Sequence, residues 1–141
     1  MIILAVDLGR SRTGLAICDK GEMLASPLGI IEEKNLDILA QKISEIAKER
    51  KAEMLVVGLP KNMDGSEGES ACNARNFAEN LKKLCNLPMK MQDERGTTIT
   101  AHNFLNTTDT RGKKRKKVVD TVAATIILED YMNYRRNHKF E

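Results

Sequence analysis

Tryptophan is absent from the 141 residues, and tyrosine and phenylalanine supply only two and three. A protein that reads single-stranded bases by stacking needs aromatic platforms, and none is evident here. Cysteine is scarce as well. Cys18, Cys72 and Cys85 are odd in number, at unrelated spacings, without CxxC pairs or neighbouring histidines. That excludes a structural zinc site and predicts a reducing, cytoplasmic setting. No apolar run approaches the roughly 18 residues of a membrane span, and the opening Met1 to Val6 stops at Asp7 with no basic segment before it. Neither a membrane anchor nor a signal peptide is expected. His102 and His138 lack any matching Ser, Cys or Asp arrangement, and no nucleophilic triad or P-loop is present.

Apolar material is sufficient. Hydrophobic residues make up 41% and charged residues 30%, which suits one globular domain over residues 1–141 rather than a disordered chain. The net charge of +3 hides an uneven distribution, because Arg111, Lys113, Lys114, Arg115, Lys116 and Lys117 place six cations in seven residues. Without them 17 basic residues face 20 acidic ones, a balance of −3. One concentrated basic segment on a mildly acidic chain points to a polyanionic partner.

Ile2 to Val6 is β-branched and almost continuously apolar, as a strand buried on both faces requires. Thr13 to Cys18 and Met23 to Ile31, joined through Asp19-Lys20-Gly21, predict two antiparallel strands after it. Pro27 cannot donate to an inner ladder, so the third strand belongs at an edge. Leu36, Leu39, Ala40, Ile43, Ile46 and Ala47 then fall at helical spacing. Met54 to Val57 is a further short strand, and Gly58 to Gly68 a polar loop. Ser66 and Glu69 form a capping-box pattern, predicting a second helix towards Asn86 with Ala71, Ala74, Ala78, Leu81 and Cys85 on one face. Leu87 to Gln92 is the last strand; 97–105 reads as helical, 106–117 as an open basic loop and 118–134 as a long helix. This order specifies a mixed sheet whose later strands join by crossovers. It resembles an RNase H-like sheet, with a flavodoxin-like order open on pattern alone.

Asp7 ends the first strand, followed by Gly9 and Gly14. A carboxylate there lies where open α/β sheets place ligands, and glycines admit a phosphate close to the backbone. It reads as a metal-binding aspartate of a nuclease, as the phosphate-loop aspartate of an actin or sugar-kinase type ATPase, or as a plain turn residue. Asp93-Glu94-Arg95 follows the last strand, where its acids face the same rim or simply cap and favour the next helix. Asp120 shares a helical stripe with Ala123, Ala124, Ile127 and Tyr131, an apolar face on which a carboxylate needs a partner. Small alanines let that helix approach the sheet, and carboxylates brought close to Asp7 repel unless cations bridge them. Magnesium suits such hard oxygen ligands; the alternative for Asp120 is an acid complementing the helix dipole. The basic run precedes this helix and would deliver backbone phosphates beside it, favouring backbone and shape recognition over base reading. The glycines of 58–68 offer backbone N–H groups to a second phosphate.

The motifs Asp7-x-Gly9-x-x-Arg12-x-Gly14-x-Ala16, Val57-Gly58-Leu59-Pro60 with Gly65-Ser66-Glu67-Gly68, Asp93-Glu94-Arg95 with Thr97-Thr98, and the basic run before Asp120-x-x-Ala123-Ala124 occur in order. With them the sequence resembles the YqgF family, also called RuvX, over nearly its whole length. The resemblance implies an RNase H-like mixed five-stranded sheet, three antiparallel strands then two parallel, flanked by helices. It also implies a divalent-metal nuclease site and two family roles: maturing the 5′ end of the small-subunit ribosomal RNA precursor and resolving Holliday junctions. By position, Asp7, Asp93, Glu94 and Asp120 correspond to the acidic site. Arg12, Arg95, Arg111, Lys113, Lys114, Arg115, Lys116 and Lys117 correspond to nucleic-acid contacts. Relative to RuvC-type resolvases, Gly58 stands in place of a glutamate and Ala123 in place of a further aspartate.

The expected protein is therefore a cytoplasmic nuclease dependent on Mg2+ or Mn2+, acting on structured RNA or branched DNA as a monomer or homodimer, away from membranes. In a two-metal scheme the ions generate hydroxide and stabilise the leaving oxygen, so no histidine base is needed. Strand alternation puts Met89, Met91 and Asp93 on one face and Lys90, Gln92 and Glu94 on the other, and Asp93 has a competing capping role. Asp7, Glu94 and Asp120 are thus the expected metal ligands. The rivals are an ATPase fragment, for which the chain supplies about one lobe, and a non-catalytic RNA-binding ribosome-assembly factor. Metal-dependent cleavage separates the latter from the nuclease.

Overall fold

A computed structural model describes residues 1–62, 64–93 and 113–137, with side chains of the last helix described from residue 122 onward. The elements run β1 (Ile3–Asp7), β2 (Arg12–Cys18), β3 (Ala25–Glu32), α1 (Leu36–Glu49), β4 (Met54–Leu59), α2 (Glu69–Cys85), β5 (Met89–Asp93) and α3 (Lys113–Asn137). The sheet order is β3-β2-β1-β4-β5. β1, β2 and β3 pair antiparallel, while β4 joins β1 and β5 joins β4 in parallel. β1 is central, as its unbroken apolar run requires, and Ile3, Leu4, Ala5 and Val6 are completely buried.

Alternation along β1 divides the core. Leu4 and Val6 join Leu15, Leu55, Val57, Leu39, Ile43, Phe77 and Leu81 beneath α1 and α2. Ile3 and Ala5 join Ala16, Met54, Val56, Ala124, Ile127, Leu128 and Tyr131 beneath α3. Burial of each Leu, Ile or Val at these positions contributes about 1.5–3 kcal/mol before entropy is charged against it. Tyr131 Oη donates to Met54 Sδ at 3.7 Å, and Arg135 Nε to Glu22 Oε1 at 2.7 Å. These bonds fix the last turns of α3 at the amino end of β1 and β4. The helix therefore runs antiparallel to β1, its first turns directed towards the end where Asp7 stands.

Three local expectations are corrected. The third strand begins at Ala25 rather than Met23, because the Asp19 carboxylate accepts the N–H groups of Met23 and Leu24 and holds both in the exposed turn. The capping box at Ser66 does not form. Ser66 Oγ bonds Asp64 Oδ1 at 2.6 Å and accepts from Asn62 Nδ2 at 2.9 Å, so α2 starts from Gly68 without a side-chain cap. Lys113 to Lys117 are helical rather than an open loop, since α3 begins at Lys113. Lysine and arginine are good helix formers, and charge density by itself does not break a helix. α1 begins at Leu36, where the helical spacing starts, and Asn35, not singled out in the sequence, caps it by accepting at Oδ1 from Asp37 N and Ile38 N. The helix expected over 97–105 lies outside the described residues.

Candidate active site

Asp7 is the last residue of β1 and half-buried. It is two positions beyond Ala5 and so belongs to the α3 face of the sheet. Its register partner on β2 is Gly14. On the other side Val6 pairs with Val57 in parallel, which makes Gly58 the next position along β4. The carboxylate is thus bordered by a glycine on each neighbouring strand. Neither neighbouring strand puts a side chain beside it at this level of the sheet.

The turn after β1 is tight. A Cβ on Gly9 would collide with the Arg12 carbonyl oxygen, so only glycine fits there. This closeness sets Arg12 at the head of β2, opposite Glu32 on β3, and the Ser11 carbonyl accepts from Glu33 N at 3.0 Å. Arg12 lines a surface depression with Ser11, Glu32, Glu33 and Lys34.

Asp93 is brought to the same edge of the sheet but not to the same face. It pairs with Leu59 in the β4–β5 ladder, as Met91 pairs with Val57 and Met89 with Leu55, and Leu55 and Val57 belong to the α1–α2 core. Strand alternation therefore gives Asp93 to the α1–α2 side. Asp120 lies in α3, one turn before Ala124, at the end of the helix directed towards Asp7. Lys113, Lys114, Arg115, Lys116 and Lys117 occupy the first turns of the same helix. Glu94, Arg95, Arg111, His102 and His138 lie outside the described residues.

The loop after β4 is held by its own polar groups. Asn62 N donates to the Ser66 carbonyl and Gly65 N to that of Asn62, each at 2.8 Å, with Gly65 at a φ of 89°. Glu67 receives Arg75 Nε at 2.6 Å and Nη2 at 2.9 Å, and this pairing holds its carboxyl below the usual range. Among the described residues no three His, Cys, Asp or Glu side chains are grouped to hold a metal. Asp7 is the described member of the expected ligand set, and its carboxylate oxygens, bordered by Gly14 and Gly58, are of the type a hard divalent cation takes.

The mixed sheet with an acid closing its central strand belongs to the RNase H-like class. Thermus thermophilus RuvC shares the fold at 13% identity and a TM-score of 0.59, with 97% of each chain covered. A structure of fowlpox virus resolvase with Holliday junction DNA gives a TM-score of 0.58 at 14% identity, covering 95% of this chain and 98% of that one. Within this class the chain belongs to the family described as "RuvX: Holliday junction resolvase", which matches residues 1–134. A protein of Halothermothrix orenii is 41% identical over 135 residues, covering 96% of each chain. One of Clostridium acetobutylicum is 39% identical over 133 residues, covering 94% of this chain and 98% of that protein. Both carry the name "Putative pre-16S rRNA nuclease".

What sequence reasoning missed is the pair of glycines beside Asp7. Gly14 and Gly58 were each visible, but their common neighbour follows from strand order and register, which no local pattern encodes. Phe77 is another omission: it is the largest side chain of the α2 face and 2% exposed.

Proposed function

We propose that the chain is a nuclease dependent on Mg2+ or Mn2+ that hydrolyses phosphodiester bonds in structured RNA or branched DNA. The observation that carries this is Asp7 on the α3 face between Gly14 and Gly58, with the Asp120 end of α3 directed towards it. Asp7, Asp120 and Glu94 would hold the cation. Once bound, it supplies charge neutralisation at the phosphoryl group and acidifies water. The residues of the chain do the rest. Gly9 fixes the turn that presents Arg12 to the substrate backbone, and the basic first turns of α3 gather phosphates beside Asp120. Family membership supports a junction substrate, and the names of the relatives support the precursor of 16S ribosomal RNA.

The test incubates purified protein with a four-way DNA junction and with a pre-16S 5′-end transcript, under magnesium, manganese or chelator. Cleavage of at least one, abolished by chelator and by Asp7→Asn with the fold preserved, is expected. Equal cleavage with chelator, or wild-type cutting by Asp7→Asn, overturns the site. Tight binding without any cleavage favours the RNA-binding assembly factor instead.

A further inference from the structure

Metal ligation at Asp7 leaves unused the surface immediately beyond it. A cavity of about 450 Å3 is walled by Leu8 and Arg10 of the β1–β2 turn, Lys34 before α1, Pro60 after β4, and Ser70 and Asn73 of α2. A second depression, containing Arg12, shares Lys34 with it. Arg10 and Lys34 are thus the cations of the first recess, and Arg12 stands beyond Lys34 opposite Glu32. Arg10 and Lys34 are exposed and make no ion pair among the described residues. Of the nearby carboxylates, Glu33 is engaged with Lys42 at 3.1 Å and Glu67 with Arg75 at 2.6 Å, while Glu32 lines the second depression opposite Arg12. Glu69 is the acid in the lining, so the two cations keep a positive excess, with Ser70 and Asn73 as neutral hydrogen-bonding groups.

Two cations at separate points of a recess with a mixed polar and apolar lining suit an anion with acceptor oxygens on several sides, which is the chemistry of a phosphodiester. The cavity starts at Leu8, one residue after Asp7 and on the opposite side of β1 by alternation. We propose that it is a second phosphate subsite, taking a non-scissile backbone phosphate of the strand that Asp7 addresses. The strand then crosses the carboxyl edge of the sheet from the α3 side to the α1–α2 side. This rests on the proposed function for the position of the cut, though not for binding itself.

The test compares Arg10→Ser/Lys34→Ser with Lys48→Ser/Lys83→Ser, which removes two exposed lysines at the opposite edge of the sheet. Binding of a labelled structured RNA and a labelled four-way junction is followed by anisotropy over a salt series without metal. The first variant should bind more weakly, with a log–log salt slope shallower by about 0.7–0.9 for each phosphate no longer neutralised, and the second should match wild type. Cleavage at substrate below Kd should fall by the same factor as affinity. Unchanged affinity and slope, an equal loss in both variants, or no binding by the wild type overturns the subsite. Weakened binding in a protein that cleaves nothing keeps the subsite and removes the nuclease reading. Normal cleavage with unchanged binding does the reverse.

Discussion

Asp93 stands beside Leu59 in the β4–β5 ladder, on the side of the sheet turned away from Asp7. The pleat thus keeps Asp93 off the face that carries Asp7, and the ligand role expected of Glu94 rests on the alternation read from the sequence.

For that reason Asp93→Asn should retain measurable cleavage, and Glu94→Gln should lose it more severely, with partial recovery at high manganese. Single-turnover rates measured side by side decide it. The opposite ranking hands the ligand role to Asp93, and full activity in both removes the motif from the site.

Gly9→Ala should damage the site without touching an ionisable group. Its Cβ would overlap the Arg12 carbonyl oxygen, so the turn must open and Arg12 must shift. We expect cleavage to fall at least tenfold, with a stability loss on the order of 1–3 kcal/mol from the steric overlap. Gly21→Ala is the control, since its Cβ meets Asp19 Oδ2 and Met23 Cγ at an ordinary 3.6 Å. Equal behaviour of the two variants would sink the argument.

Thr13 is 0% exposed, and its Oγ1 has no hydrogen-bond partner among the described residues. Replacing it with the isosteric valine removes an unsatisfied hydroxyl at little cost in packing. Thr13→Val should therefore stabilise the protein by about 1 kcal/mol, read as a higher urea midpoint at unchanged m-value. A clear destabilisation would show that the hydroxyl is satisfied after all.

The hydrogen bond from Arg135 holds the Glu22 carboxyl below its ordinary value of 4.5. A depressed folded-state value means that the stabilisation is complete above the unfolded value and drains away as pH falls through the folded one. Glu22→Gln should cost up to about 1 kcal/mol at neutral pH, as partly exposed pairs do, and the deficit should close under acid. Urea unfolding of both proteins from pH 7 to pH 3 checks this; a pH-independent gap would assign the loss to packing.

The strands and helices of the core were legible because burial imposes periodicity. β1 is buried on both faces and reads as an unbroken apolar run, while the helical stripe from Leu39 to Ala47 is the buried face of α1. The start of α2 was not legible. Ser66 has the right neighbour for a capping box, but Asp64 and Asn62 compete for its hydroxyl within the same turn, and a pattern three residues long cannot rank the competitors. The basic run misled in the opposite direction, since it was read as the end of an open loop where helix propensity prevailed from Lys113 onward. Asp7 was legible as the end of a strand. Its bordering glycines come from segments far apart in the chain, and register brings them to it.

The outer strand of the sheet has a further consequence. β3 carries Pro27 opposite Ala16, and the ladder shifts register between Leu15 and Ala16. Proline brings no N–H, and a bulge breaks the even spacing that an added strand would need. Backbone annealing along this side is therefore discouraged, and aggregation by strand addition is blunted where a regular three-stranded meander would invite it.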